Sequence, residues 1–148
     1  TVVDPKKRNF VAYKNVTLFK PNLKELREGL KVEVEAGNQD KVANAVELLK
    51  TKLNAEGVMV TLSEHGVYID FQNEKIKLPA HVREIADVSG AGDTVIAIAS
   101  LCIALKLSPQ LIASLSNLGG GLVCQHVGVV PINKNEFLEE ALAEKISD

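Results

Sequence analysis

The amino-acid sequence predicts a layered α/β protein with a mostly parallel sheet flanked by helices. Short β-branched apolar runs alternate with longer segments of helical periodicity. The run at residues 58–62 is continuously apolar, as in a strand covered on both faces. No internal repeat or low-complexity linker interrupts the pattern, and 148 residues suffice for one domain with a substantial core.

The first half of the chain contains the predicted strands. They lie at residues 1–3, 16–19, 58–62, 67–71 and 75–78, the last two forming a hairpin. Asp4-Pro5 and Lys20-Pro21 end the first two strands. Asn22 can cap a short helix to about residue 28. A longer helix spans 39–56, because its apolar residues recur at i, i+3, i+4 and i+7.

The second half is predicted to be largely helical. Residues 82–88 form a strand or an extended lead-in, and 89–93 form a turn. A strongly apolar helix then runs to about 107. Ser108-Pro109 starts another helix to about 126, with proline in its favoured first position. After a connector, Asn133 starts a final amphipathic helix to about 146.

Composition and charge exclude several classes of protein. A net charge of −2 gives no basic field for nucleic acid or an anionic membrane. No apolar run approaches the roughly 20 residues of a membrane span, and no signal peptide is visible. Cys102 and Cys124 lie in apolar stretches, which favours buried thiols of a cytoplasmic protein over a disulfide. The three histidines (His65, His81, His126) lack metal-ligand spacing.

The sequence begins at Thr1, inside a predicted strand and without a methionine. This start is typical of the later part of a longer protein. We therefore expect a fragment whose first strand has an open edge, which favours association with another chain or with a missing part.

The stretch from Asp87 to Thr94, DVSGAGDT, carries the chemistry. Gly90 and Gly92 flank an alanine where a helix begins, and the first amides of a helix have no partner within it. Together with the helix dipole they form a site for a phosphate. Asp93 in the first turn can accept a proton from a hydroxyl aligned on the phosphorus. The alternative is a plain helix start with an acidic residue.

This stretch resembles the second signature of the ribokinase-like (PfkB-type) carbohydrate kinases. Four further stretches resemble that family in order and spacing, at residues 4–6, 20–25, 60–66 and 117–128. The resemblance implies a three-layer ribokinase-like fold, of which residues 1–148 are the C-terminal, ATP-binding part, without the N-terminal half and the lid. Within the family the stretches look most like kinases that phosphorylate heptose 7-phosphate at the anomeric hydroxyl.

The resemblance also implies roles for individual residues. Asp93 is the base, and the amides of Gly90, Ala91 and Gly92 form an anion hole. Asn22 and Glu25 order Mg²⁺ through water, although a helix cap and a solvated face are the simpler interpretations of these two residues. The residues that the resemblance implies to contact ATP are Thr61, Ser63, Gly66, Asn117, Gly120 and Val123. Asp87 and Ser89 match a site for a monovalent cation such as K⁺.

Alternatives to a kinase stay open at this point. The chain could be a non-catalytic nucleotide-binding or regulatory module, a phosphosugar-binding module, or a kinase for ribose or fructose. The run Gly119-Gly120-Gly121 suggests close helix packing rather than a phosphate loop. The expected partners are ATP and a sugar or sugar phosphate, with a homodimer or the missing half completing the protein. Alone, the chain is expected to turn over weakly or not at all.

Overall fold

A computed structural model of the chain describes residues 1–81 and 83–146. The chain divides into two units, Thr1–Pro79 and Ala80–Asp148. The first unit contains a sheet and two α-helices, and the described part of the second contains three α-helices. The α/β class predicted from the sequence is confirmed.

The sheet of the first unit has five strands in chain order. They are β1 (Val2–Val3), β2 (Leu18–Phe19), β3 (Gly57–Thr61), β4 (Val67–Phe71) and β5 (Glu74–Leu78). The first three run parallel, with Leu18 opposite both Val2 and Gly57. The last two pairings are antiparallel, so the sheet is mixed rather than mostly parallel. The reason is loop length: residues 62–66 join β3 to β4, Gln72 and Asn73 alone join β4 to β5, and a parallel crossover needs far more chain.

Two helices cover this sheet. Helix α1 (Leu23–Leu30) begins at Asn22, and helix α2 (Gln39–Leu53) begins at Asn38. The inward face of α2 is the one that the periodicity predicts, namely Val42, Ala45, Val46, Leu49 and Leu53. These side chains join residues of β2, β3 and β4 in a single buried cluster. Four of the five residues of β3 are buried, as expected for a strand covered on both faces.

The second unit is built from α3 (Ala91–Ala104), α4 (Pro109–Val123) and α5 (Lys134–Ala143). Glycines on α4 let it approach α3 closely. A Cβ atom on Gly119 would lie 2.1 Å from Ile98, and one on Gly120 would lie 2.7 Å from Val95. The close packing predicted for the glycine run is therefore confirmed.

The segment before α3 is extended but is not a strand in residues 83–88, and Val82 lies outside the described residues. The amides of Ala86 and Asp87 both donate to the carbonyl of Cys124, at 2.9 and 3.2 Å. Their hydrogen bonds thus go to the end of α4 instead of a neighbouring strand. This contact fixes the position from which α3 starts.

Both cysteines are free thiols, as predicted. Cys102 is buried and Cys124 half-buried, and burial raises the pKa of each thiol. Among the helices that the structure describes, none has the length and apolarity needed to cross a membrane.

Candidate functional site

The carboxyl ends of β2 and β3 bring together the predicted site residues of the first unit. These strands are parallel, so their ends meet at one edge of the sheet. Asn22 forms a parallel bridge with Thr61, and the Thr61 amide donates to the carbonyl of Pro21 at 3.2 Å. Two residues 39 positions apart are thereby adjacent.

Asn22 and Glu25 form a reciprocal capping box at the start of α1. The Asn22 Oδ1 accepts from the Glu25 amide at 2.8 Å, and Glu25 Oε2 accepts from the Asn22 amide at 2.8 Å. The predicted helix cap is confirmed. A carboxylate has room for further donors, so the box leaves Glu25 Oε1 able to accept from a metal-bound water.

A buried ion pair holds the same edge of the sheet. Lys20, only 3% exposed, places its Nζ 3.1 Å from Oδ1 of Asp4. Each residue directly follows a strand, Asp4 after β1 and Lys20 after β2. A buried ammonium group is costly without a partner. The sequence analysis noted both residues only as strand ends and missed the pair; the signal was a charge-proline step after two strands that turn out to be neighbours.

The loop after β3 closes on itself. Leu62 donates to the Gly66 carbonyl at 2.8 Å, and the Gly66 amide donates to the Ser63 carbonyl at 3.0 Å. Gly66 has φ 89° and ψ −132°, a conformation that glycine alone adopts readily. Ser63 is exposed, Thr61 half-buried and Gly66 buried. Of the three residues predicted to face a nucleotide, Ser63 is thus the most accessible.

In the second unit, Gly90 caps α3 with φ 78°. The Ala91 amide donates to the Val88 carbonyl over a long 3.3 Å. Within the described residues, the amides of Gly90 and Gly92 have no backbone acceptor. An anion at this helix start would meet these two amides directly, and the Ala91 amide only by displacing Val88. Asp93 lies exposed in the first turn.

Asp87 fixes the loop that leads into α3. Its Oδ1 accepts from the amide and hydroxyl of Ser89, at 2.9 and 2.8 Å, and its Oδ2 accepts from the Gly128 amide at 2.9 Å. The hydrogen bond from the Ser89 hydroxyl, with those from the Ser89 and Gly128 amides, lowers the pKa of this carboxyl. Asp87 and Ser89 therefore bond to each other, and their role with a monovalent cation stays a prediction.

A cavity of about 220 Å³ lies where α4 ends and α5 begins. Its walls are mostly apolar, with three polar side chains; they comprise Leu122, Val123, His126, Val130, Pro131, Ile132, Asn133 and Glu136. Val123 was predicted to contact a nucleotide and does line this cavity. Gly120 instead lies buried against Val95, and Asn117 is half-buried on α4.

Sequence reasoning missed Glu136 as a cavity residue. The available signal was its spacing from Asn133, which repeats that of Asn22 and Glu25. Here Asn133 Oδ1 accepts from the Glu136 amide at 3.2 Å, and Glu136 lines the cavity. No group of three or more acidic, histidine or cysteine side chains suited to a metal ion occurs in residues 1–81 and 83–146.

Comparison with known proteins decides the family. The model of the pfkB family carbohydrate kinases matches residues 4–135. The chain belongs to this family. The bifunctional protein HldE of Syntrophotalea carbinolica is 37% identical over 143 residues, which are 96% of this chain and 29% of that protein. HldE of Magnetococcus marinus is 38% identical over 137 residues, 92% of this chain and 28% of that protein. The chain thus spans under a third of these relatives.

Solved structures confirm the ribokinase-like fold. Phosphofructokinase-2 from Escherichia coli in complex with potassium superposes with a TM-score of 0.86 at 20% identity, covering 97% of this chain and 47% of that one. Ribokinase from Thermotoga maritima gives a TM-score of 0.74 at 19% identity, covering 96% and 48%. Each superposition includes nearly all of this chain and less than half of the neighbour.

Proposed function

We propose that this chain carries the phosphoryl-transfer machinery of an ATP-dependent sugar kinase, with Asp93 as the catalytic base. One observation supports this most: an exposed carboxylate in the first turn of α3, beside the amides of Gly90 and Gly92 that lack a backbone acceptor. A proton acceptor and an anion site at one helix start are the two elements that phosphoryl transfer requires of the protein.

In the proposed reaction, the sugar hydroxyl oxygen bonds to the γ-phosphorus of ATP, and the bond from that phosphorus to the departing ADP oxygen breaks. Asp93 takes the hydroxyl proton. The amides of Gly90 and Gly92 stabilise the negative charge on the transferred group, and the positive end of the α3 dipole adds to this. Asp87 keeps the loop in place by binding Gly128.

The cavity beside α4 and α5 suits the base of the nucleotide. Apolar walls from Leu122, Val123 and Ile132 can cover its flat faces, and polar groups of Asn133 and Glu136 can meet its edge. In the first unit, the exposed Ser63 loop and Thr61 are the proposed contacts with the ribose and phosphates. The nucleotide roles of Gly66, Asn117 and Gly120 stay predictions.

Mg²⁺ is the proposed metal, and the residues present fit it. Mg²⁺ takes few carboxylate ligands and keeps its waters, and Glu25 retains one uncommitted oxygen beside Asn22. When bound, the metal neutralises charge on the phosphates. A monovalent cation near Asp87 and Ser89 is proposed on the family resemblance; one fold neighbour was solved with potassium.

The proposed acceptor is the anomeric hydroxyl of heptose 7-phosphate, in a cytoplasmic enzyme. Support comes from the stretches at residues 4–6, 16–25 and 87–96, and from relatives at 35–38% identity that share one name. Ribose or a fructose phosphate is the alternative, since ribokinase and phosphofructokinase-2 share the fold at about 20% identity.

We also propose that another strand pairs with β1. This strand lies at the edge of the sheet and pairs on one side only with β2 in the described chain. Its two valines are half-buried, and an unpaired apolar edge favours strand addition. The partner is a further part of a longer kinase or a second copy, and the 148 residues by themselves are expected to turn over weakly.

Asp93→Asn in the complete gene product tests the proposal. Loss of the base should lower kcat roughly 10²–10⁴-fold while ATP still binds, because asparagine keeps the shape and cannot accept the proton. The measurements are ADP release with heptose 7-phosphate and calorimetric titration with ATP. Asp40→Asn is the matched control, since Asp40 is also an exposed first-turn aspartate of a helix.

The outcomes separate the candidate functions. Unchanged turnover in the Asp93→Asn protein would remove the base assignment. A wild-type protein that binds ATP but phosphorylates no sugar would instead be a nucleotide-binding module.

A further inference from the structure

One face of α5 carries glutamates at every fourth position. Glu136 lines the cavity, whereas Glu140 and Glu144 bind Arg83, whose Nη2 lies 2.9 and 3.8 Å from their carboxylates. His81 Nδ1 is also 2.9 Å from Glu144. No residue of α5 is buried, so little apolar burial holds this helix. Its position depends on these polar contacts more than is usual for a helix in a domain.

Arg83 lies across α4 with its side chain only 12% exposed. Its Nη1 donates to the Gln125 side chain at 3.1 Å, and a Cβ atom on Gly121 would come 3.5 Å from its Nε. The Arg83 side chain therefore packs directly against the backbone of α4 at Gly121 on its way to α5. The buried Nε has no hydrogen-bond partner, so the contacts of the two Nη groups orient the side chain.

The segment that begins at Arg83 contacts both sides of the cavity. Its side chain binds α5, and four residues later the Asp87 carboxylate binds Gly128, in the loop after His126. Between them the Ala86 amide donates to the end of α4. The same segment then enters the start of α3. The wall of the cavity and the proposed phosphate site are therefore connected by eight residues of backbone.

We propose that Arg83 is a positioning residue for ATP: it holds α5 so that Asn133 and Glu136 form the wall of the nucleotide cavity. This rests on the proposed function, which places the base of ATP there. Without the guanidinium, Glu140 and Glu144 are like charges one turn apart and repel each other. The remaining contacts of α5 are then the 2.9 Å pair of His81 with Glu144 and the packing of Phe137, beside Ile132, near Gly119.

Arg83→Gln in the complete gene product tests this. The KM and the dissociation constant for ATP should both rise roughly tenfold, about the worth of one charge-assisted hydrogen bond, with kcat within about twofold. Arg83→Lys should give an intermediate value, because an ammonium keeps the positive charge beside Glu140 and Glu144 but lacks the second nitrogen that donates to Gln125. If Arg83 only supported folding, its replacement would lower the amount of active protein without raising the KM for ATP.

Glu140→Gln gives a second test if Arg83→Gln does not fold. It weakens the 2.9 Å pair but leaves Arg83 and Glu144 in place, so the KM for ATP should rise by a smaller factor. The matched control is Glu139→Gln, an exposed residue on the same helix, which should leave ATP binding unchanged.

The proposal fails if folded Arg83→Gln protein keeps the wild-type KM for ATP, or if its kcat falls while its KM does not change. Those results would leave the kinase assignment intact, since the wild type and the Asp40→Asn control would still bind ATP. Wild-type protein that binds no ATP would overturn both proposals together.

Discussion

The two units of this chain bury their apolar residues to different extents. Most of the buried apolar side chains of the first unit form one cluster that includes residues of α1, α2 and the sheet. Of the large apolar residues that are exposed in the described chain, three lie in this unit and eight in the second. Leu101 of α3, Leu105 directly after it, and Leu138 and Leu142 of α5 are among those eight. The first unit thus exposes few large apolar side chains, whereas the second exposes several, some of them on α3 and α5.

The candidate site residues differ in the same way. In the first unit they are side chains at the ends of strands, fixed by the sheet and by the capping box of Asn22. In the second unit the candidate anion site consists of the backbone amides of Gly90 and Gly92, beside the Asp93 side chain, in a loop that Asp87 holds. A sheet edge orders side chains, whereas a helix start presents amides, and each unit supplies the kind of group that its architecture offers.

The largest expected effect concerns the core. Leu49→Ala, at a fully buried position of α2, should lower the free energy of unfolding by about 3 kcal/mol through lost burial and a cavity. Leu101→Ala, at a position of α3 that is 65% exposed, should change it by less than about 0.5 kcal/mol. Urea unfolding of both variants measures this. Equal losses would contradict the contrast between the units.

An intermediate effect is expected at Glu25, where a structural and a catalytic role coincide. Glutamine can still accept from the Asn22 amide, so Glu25→Gln should keep α1 and the unfolding midpoint unchanged. Without the charge, the Mg²⁺ concentration for half-maximal activity should rise roughly 10–100-fold. Kinetic titration with Mg²⁺ measures it, with the exposed Glu33→Gln as control. An unchanged Mg²⁺ requirement would leave Glu25 as a helix cap only.

The smallest effect, on pH dependence, belongs to Asp87. Its pKa is lowered in the folded protein, so its ionised form stabilises the fold at pH values above the unfolded pKa of about 3.9. That stabilisation is lost as the pH falls through the lowered pKa. Asp87→Asn should therefore lower the urea midpoint at pH 7, and the difference from wild type should shrink toward zero in strong acid. A difference that does not depend on pH would rule out the carboxylate as its source.

Local signals predicted most of the elements and one part of the site. Helix α2, the hairpin of β4 and β5, and the start of α4 at Pro109 follow from periodicity and from turn and capping residues, which act within a few positions. The sequence analysis treated residues 82–88 as a strand or an extended lead-in, and the structure places no strand in residues 83–88. Their apolar pattern resembles a strand, but their amides bind the end of α4.

Residues that meet across long stretches of sequence were not predictable in the same way. Lys20 is buried because Asp4 ends the neighbouring strand, and strand order is set by pairing of distant segments. The contact of Arg83 with Glu140, 57 positions later, depends on how α4 and α5 pack. Neither of these two ion pairs produces a recognisable pattern within a short stretch of sequence.

Local sequence is enough to account for the helix start at Gly90, the first-turn position of Asp93 and the cap at Asn22, because these depend on backbone preferences and neighbours within one turn. The folded chain was needed to show that Asp87 binds Gly128, that Lys20 is buried, and that Arg83 reaches α5. These contacts join groups that become neighbours only when strands pair and helices pack, and burial then makes each charge depend on a specific partner.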